Sequence, residues 1–272
     1  MLNKLISAFL YLPPRCTYCT NDPLFRGSFF EIKDSAGNCI PCVYVKASSQ
    51  SRYTVLYSHA NAEDIGNLMG FFLWMSKHLF VDVIGYDYPG YGLCGGTPNE
   101  KSVQACACTV LNYMIDTMGI GNNQIILYGH SLGSAVSAYL AVYASKTRSR
   151  GVAGVVLQSC FMSIYRLVFD LRFSAKRDLY ETVDIIKDIS SPVTFIHGMC
   201  DCVVPLSHPK ALFTLVPEDL RYKCLFVPAA GHNNIELFCT PRSLFANHLL
   251  NFLTFVSLRE EQGQSLQCLV GV

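Results

Sequence analysis

The 272-residue sequence predicts an α/β fold: an eight-stranded, mostly parallel sheet flanked by helices, with a short lid and no large cap domain. Three observations carry this. Apolar, β-branched runs recur along the chain with stretches of helical period between them. The first two runs are joined by a short turn-rich link, whereas each later run is followed by enough residues for a crossover helix. One junction, residues 124–141, reads as a strand, a sharp turn and a helix in direct succession.

Taken in order, the predicted strands cover residues 29–33, 40–45, 53–59, 81–86, 124–128, 154–158, 193–197 and 223–227. Asp34, Ser35, Ala36, Gly37 and Asn38 form a turn that suits an antiparallel hairpin between the first two. Predicted helices cover 63–80, 100–117, 134–145, 183–189, 209–215 and 235–256. Residues 159–191, after the sixth strand, leave room for a modest lid, so the substrate entrance is expected to be open. The domain proper is read as 27–258, with a C-terminal tail over 259–272. Residues 1–26 form a separate N-terminal segment. In it Leu2, Leu5, Ile6, Phe9 and Leu10 recur at helical spacing, until Pro13 and Pro14 stop the pattern. That stretch is too short to span a bilayer and reads as an amphipathic helix on the domain or on a membrane surface.

Hydrophobic content of 51% and charged content of 15% describe a well-buried globular chain. A net charge of +1 offers nothing for nucleic acid. Thirteen cysteines scattered along the chain, with no Asn-x-Ser/Thr sequon, read as reduced thiols in an intracellular protein. Cys16/Cys19 and Cys39/Cys42 have a zinc-ribbon spacing. Cys39 and Cys42 lie on a strand, however, where residues three apart face opposite sides, so no metal is expected. No cofactor is expected either, and the chain is read as a monomer.

The junction at 124–141 contains Gly129-His130-Ser131-Leu132-Gly133. A serine on a strand-to-helix turn between two glycines is the arrangement that presents a nucleophile. A hydroxyl needs a base, and the base needs an orienting acid. In the chain order Ser, acid, His, the acid is Asp201, after the seventh strand. The base is His232, after the eighth. Both follow strands at the sheet edge that carries Ser131. Asp178, Asp184 and Asp188 read instead as solvated helix-face carboxylates, and His130 as a packing residue. The N–H of Leu132 is one oxyanion donor. The turn after the third strand supplies the other, placed at Asn61 with Ala62 as the second choice. His59 in that turn and the Asp87–Gly92 turn read as structural. Ala62, Phe161 and Met162 are candidate substrate contacts, and the packing of Tyr165 and Leu167 also sets pocket depth. Cys200 and Cys202 fill space beside the acid.

Ser58-His59-Ala60-Asn61-Ala62, the Tyr86–Gly92 turn, Tyr128-Gly129-His130-Ser131-Leu132-Gly133, Ile196-His197-Gly198-Met199-Cys200-Asp201 and Gly231-His232-Asn233-Asn234-Ile235-Glu236 resemble the α/β-hydrolase domain-containing 17 group. That group is similar to the wider Bem46-like serine hydrolases, and the resemblance runs over about residues 5–255. It implies the α/β-hydrolase fold and an acyl-protein thioesterase that removes palmitoyl groups from membrane-attached proteins. Ser131 is then nucleophile, Asp201 acid and His232 base. The implied partner is an S-acylated protein or acyl ester, met through peripheral contact with the cytoplasmic face of membranes. Two departures stand out: Ala60 replaces a glycine, and only Cys16 and Cys19 answer to the group's cysteine-rich, acylated N-terminal segment.

Three functions compete on residues alone. The first is hydrolysis of esters or thioesters through an acyl-serine, and the same residues would serve a small-ester carboxylesterase. The second is a serine peptidase, for which Arg166, Arg172, Lys176 and Arg177 are the available anchors for a peptide terminus. The third is a silent binding scaffold, which has no use for a positioned Ser, Asp and His.

Overall fold

A computed structural model of the protein describes residues 10–148, 150–169, 178–238 and 243–270. Most of the expected N-terminal helix, and Arg172, Lys176 and Arg177, lie outside the described residues.

Eight strands form one sheet: β1 (Phe29–Lys33), β2 (Cys39–Val45), β3 (Thr54–Ser58), β4 (Asp82–Tyr86), β5 (Ile125–His130), β6 (Gly154–Gln158), β7 (Val193–Gly198) and β8 (Leu225–Val227). Their spatial order is β1-β2-β4-β3-β5-β6-β7-β8. β1 and β2 pair antiparallel, as do β2 and β4, and all remaining pairs are parallel. Every residue of β3, β5, β6 and β7 is buried. This explains why those segments read as unbroken apolar runs without alternation: a parallel sheet covered on both faces has no wet side.

The helices are α1 (Ile65–Leu79), α2 (Glu100–Asn112), α3 (Leu132–Thr147), α4 (Ile164–Phe169), α5 (Thr182–Ile185), α6 (Ser207–Leu215) and α7 (Leu244–Val270). Val55, Tyr57, Val83, Ile126, Tyr128 and Val156 share a core with Ile65, Phe72 and Met75 of α1 and with Phe245 and Phe252 of α7. Leu56, Ile84, Leu127, Val155 and Phe195 point the opposite way, into a second core with α2, α3 and α6. The period-2 direction of side chains on each strand thus supplies both cores at once. Gly85 keeps the first core tight: a Cβ there would run into the Phe72 ring. Asp64 caps α1 by accepting from the Asn67 N–H at 3.0 Å, a cap worth about 1 kcal/mol.

Several boundaries differ from expectation, and the helix predicted over 183–189 is a short α-helical turn, Thr182–Ile185, followed by a 3₁₀ turn, Ile186–Asp188. The helix predicted over 235–256 is a 3₁₀ turn, Ile235–Phe238, and the separate helix α7. The helix predicted over 100–117 ends in a π-helical turn, Tyr113–Thr117, leaving α2 shorter. α7 runs through position 258 as one helix, and Arg52 reaches its Glu260 at 3.2 Å and Glu261 at 3.0 Å. The expected tail therefore begins as part of a domain element.

The N-terminal segment also packs as part of the domain over its described residues. Tyr11 and Tyr18 are buried, and Tyr18 stacks on Phe25 with ring centroids 4.9 Å apart. The Tyr11 and Tyr180 hydroxyls are 2.8 Å apart. Thr17 donates its N–H to Asp64 at 2.8 Å and its hydroxyl to the same carboxylate. Tyr18 donates its hydroxyl to Asp87 at 2.6 Å. Sequence periodicity cannot show such ties, because a strap without regular structure has no period. No helix among the described residues is long and apolar enough to cross a membrane.

Asp87 is fully buried, and besides Tyr18 it accepts the Ile65 N–H at 2.9 Å. Burial raises its pKa to about 7, with the Tyr18 hydroxyl and Ile65 amide opposing. A carboxyl whose folded pKa exceeds its unfolded one favours folding while protonated, and that contribution is lost as pH rises through the folded value. Stability should accordingly fall between about pH 4 and 7 with a slope of up to about 1.4 kcal/mol per pH unit from this group. Asp87→Asn should flatten that slope in urea unfolding. A slope unchanged by the substitution would contradict the assignment.

Candidate active site

Ser131 sits between the end of β5 and the start of α3 with φ 51° and ψ −114°, a conformation that L-residues rarely adopt. The flanking glycines explain how the chain closes around it. A Cβ on Gly129 would lie 2.6 Å from the Ser134 Cα and run into the backbone carbonyl of Gly133. A Cβ on Gly133 would collide with the Ser58 carbonyl and come to 2.7 Å from the His59 oxygen. Both obstacles are backbone, so neither can swing aside. The turn is held from the sheet side by the Ser131 N–H, which donates to the Gln158 carbonyl at 2.9 Å. From the helix side, the Ser134 hydroxyl donates to the Ser131 carbonyl at 2.6 Å.

The loops after β7 and β8 bring two partners to this serine. His232 Nε2 lies 2.9 Å from the Ser131 Oγ, and His232 Nδ1 lies 2.8 Å from Asp201 Oδ2. The other Asp201 oxygen accepts the N–H groups of Val203 and Val204, each at 2.8 Å. Burial alone would raise the Asp201 carboxyl. The hydrogen bond from His232 and those two amides outweigh it and hold the group below its ordinary value. The two loops touch as closely as the elbow does, since a Cβ on Gly198 would lie 2.7 Å from the Ala230 carbonyl carbon.

Two further histidines brace this arrangement. The buried His197 gives its Nε2–H to the Val204 carbonyl at 3.0 Å, and the same nitrogen is 3.6 Å from Asp201 Oδ2. His130, inside the elbow, gives its Nε2–H to the His232 carbonyl at 3.0 Å. Its Nδ1 is 3.8 Å from Glu63 Oε1, and Glu63 Oε2 accepts the Ala60 N–H at 2.9 Å. Burial opposes ionisation of Glu63, yet the His130 ring and the Ala60 amide lower its pKa to about 2. One carboxylate thereby ties the turn after β3 to the loop of His232. Nothing in the spacing of Glu63 and His130 announces this, since the contact exists only once the loops converge.

Ser131, Leu132, His232, Ala60, Asn61 and Ala62 open onto a cavity of about 570 Å³. Its remaining lining among the described residues is Leu10, Phe161, Ile164, Leu167, Val168, Phe169, Val203 and Asn233, which makes it apolar apart from Ser131, His232 and the two asparagines. Ala60 has an ordinary negative φ, so alanine fits the turn without backbone strain. His59 is buried, stacks on Tyr88 with centroids 3.9 Å apart, and gives its Nδ1–H to the Ala60 carbonyl at 2.7 Å.

Other expected residues are elsewhere. Met162 does not line the cavity: its N–H donates to His208 Nδ1 at 3.1 Å and its carbonyl accepts from Val183, turning the residue toward α5 and α6. Tyr165 is likewise absent from the lining and is buried in the core. Asp178 is not a solvated helix carboxylate. It is buried and accepts the N–H groups of Tyr165 at 2.8 Å and Leu179 at 2.7 Å. Cys200 and Cys202 are exposed and fill no space beside Asp201.

Because both elbow glycines face backbone, Gly133→Ala should destabilise the protein by about 3 kcal/mol or more. It should also remove the Ser131–His232 hydrogen bond, read as loss of serine-directed probe labelling. A variant that keeps wild-type stability and labelling would show that the elbow is not confined in this way.

A profile described as the alpha/beta hydrolase family matches residues 70–245, a span that holds Ser131, Asp201 and His232. The chain is 36% identical over 211 residues to alpha/beta hydrolase domain-containing protein 17C of Xenopus tropicalis, covering 77% of this chain and 65% of that protein. It is 35% identical over 211 residues to human 17C, covering 77% of this chain and 61% of that protein, and so spans less than two thirds of these relatives. Alpha/beta hydrolase domain-containing protein 17B of Xenopus tropicalis is 35% identical, with 70% of its length covered. Among solved structures, an esterase of Pyrococcus furiosus superposes with a TM-score of 0.68 at 15% identity, over 91% of this chain and 98% of that one. An alpha-beta hydrolase of Vibrio vulnificus gives 0.66 at 17% identity, over 89% and 97%. The chain belongs to the alpha/beta hydrolase family, in the group of the α/β-hydrolase domain-containing 17 proteins.

Proposed function

We propose that the protein is a serine hydrolase of acyl esters and thioesters, with S-acylated proteins as its natural substrate class. The observation that carries this is the hydrogen-bonded series Ser131–His232–Asp201 opening onto an apolar cavity. His232 Nε2 takes the Ser131 proton as Oγ bonds to the acyl carbonyl carbon, and the carbonyl π electrons move onto oxygen. The N–H of Leu132, at the positive end of α3, and a donor from Asn61 meet that oxyanion. Collapse breaks the bond to the leaving thiol or alcohol, which departs with the proton from His232. Water then repeats the cycle on acyl-Ser131: His232 takes its proton, the hydroxide oxygen joins the acyl carbon, and the acid leaves as Ser131 recovers its hydrogen.

The cavity lining favours this reading over a peptidase. Its described residues include no lysine, arginine, aspartate or glutamate to anchor a peptide terminus. Leu167, Val168 and Phe161 offer surface for an alkyl chain, and burying each methylene contributes about 0.8 kcal/mol. The thioester preference and contact with a membrane-borne substrate rest on the relatives' group and on the apolar cavity together.

A fluorophosphonate probe should label the wild-type protein, and Ser131→Ala should abolish labelling and lower kcat on the order of 10⁴-fold or more. A palmitoyl thioester and a short p-nitrophenyl ester should be hydrolysed, and a peptide amide should not. Labelling that survives in Ser131→Ala would remove the nucleophile assignment, and faster amide cleavage than ester cleavage would favour the peptidase.

A further inference from the structure

The turn after β3 holds one feature that acyl transfer as described does not use. The Asn61 Oδ1 takes two hydrogen bonds at once, from the Leu12 N–H at 3.0 Å and from the Tyr91 hydroxyl at 2.7 Å. A backbone N–H can only donate, so the atom facing Leu12 must be the carboxamide oxygen, and this fixes which end of the amide is which. With Oδ1 occupied twice, the Nδ2 hydrogens are the donors that remain. Among the described residues no acceptor holds them, and Asn61 lines the cavity that contains Ser131.

Both clamping groups are themselves anchored. Tyr91 is fully buried, its ring edge-on to Tyr88 at 5.7 Å and 5.1 Å from the His59 ring. Its turn continues to Gly92, where a Cβ would strike the Asp87 carboxylate. The Leu12 amide belongs to the strap that Tyr11, Thr17 and Tyr18 tie to Tyr180, Asp64 and Asp87, and the strap's Leu10 forms part of the cavity wall. The strap and the turn after β3 lie ahead of the span matched by the family profile, which begins at residue 70.

We propose that Tyr91 and the Leu12 amide are positioning residues, clamping the Asn61 carboxamide by its oxygen so that its Nδ2–H groups serve as a fixed oxyanion donor. This rests on the acyl-serine reading above. A donor held in place before the reaction needs no reorganisation when charge develops, which is where such groups gain their effect. The N-terminal strap then counts as part of the active site, because the clamp on Asn61 would be half open without it.

The test is a double-mutant cycle on hydrolysis of a short p-nitrophenyl ester, with fluorophosphonate labelling of Ser131 and thermal unfolding measured on every variant. Tyr91→Phe removes one clamp. Leu12→Pro removes the other by deleting a single N–H from an exposed residue. Each should lower kcat about tenfold with KM little changed, and Asn61→Ala should lower it about 10²-fold. In the Asn61→Ala background, Tyr91→Phe and Leu12→Pro should have no further effect on kcat, whereas a purely structural role would act in both backgrounds. Equal effects in the two backgrounds, or clamp variants with wild-type kcat while Ser131 still labels, would overturn the positioning role and leave the nucleophile intact. Absence of Ser131 labelling in the wild type would instead bring down the acyl-serine reading and this proposal with it. Should Tyr91→Phe fail to fold, Leu12→Pro carries the same comparison alone.

Discussion

The site depends on a close backbone approach: the elbow carrying Ser131 is wedged against the Ser58 and His59 carbonyls with no room for a side chain at Gly129 or Gly133. Everything else about the centre follows from that wedge. It forces Ser131 into its positive-φ conformation, which costs of order 1–3 kcal/mol and persists only because sheet and helix hold it on both sides. It aims the hydroxyl out of the sheet edge rather than into α3. It also sets the end of β3 beside the start of α3, so the turn over Ala60–Ala62 and the Leu132 amide border one cavity.

Electrostatics add a second layer. Three carboxylates surround the site, two of them held ionised and one raised toward neutrality. Asp201 is held ionised against its burial by His232 and two backbone amides. Glu63 is held ionised by the His130 ring and the Ala60 amide. Asp87, whose partners are a tyrosine hydroxyl and one amide, is raised toward neutrality. Depth alone does not decide it: His232 and His130 oppose the burial of Asp201 and Glu63, whereas the imidazole nearest Asp87, that of His59 at 3.9 Å, is itself lowered to about 4 by burial and offers no opposing charge. A buried carboxylate next to His232 suits a base that must carry positive charge for part of a cycle. The higher pKa of Asp87 suits a group whose task is to hold a strap and the start of α1.

Much of this architecture is legible in the chain. The eight strands follow from apolar runs of five to seven residues. Pairing directions follow from link length, since the turn after β1 is too short for anything but a hairpin. Ser131, Asp201 and His232 are each recognisable because the residue type falls just past a strand end. Other features exist only in the folded chain. Asp178 reads as a surface acid, because nothing local shows that Tyr165 and Leu179 will turn their amides toward it. Met162 follows Phe161 directly, and which of two neighbours enters a cavity depends on a loop direction that His208, 46 residues further on, determines. The strap over residues 11–18 lacks periodicity and is tied to Asn61, Asp64, Asp87 and Tyr180, all distant in sequence, so its place beside Asn61 is invisible until the tertiary structure is formed.

The central claim is that Ser131 carries an acyl group during turnover. Pre-steady-state mixing with a p-nitrophenyl acyl ester, followed by acid quench and peptide mass mapping, tests it most directly. The account predicts a burst approaching one p-nitrophenolate per protein, with the acyl mass on the peptide containing Ser131. A linear progress curve with no acyl adduct, or an adduct on one of the cysteines instead of Ser131, would contradict it.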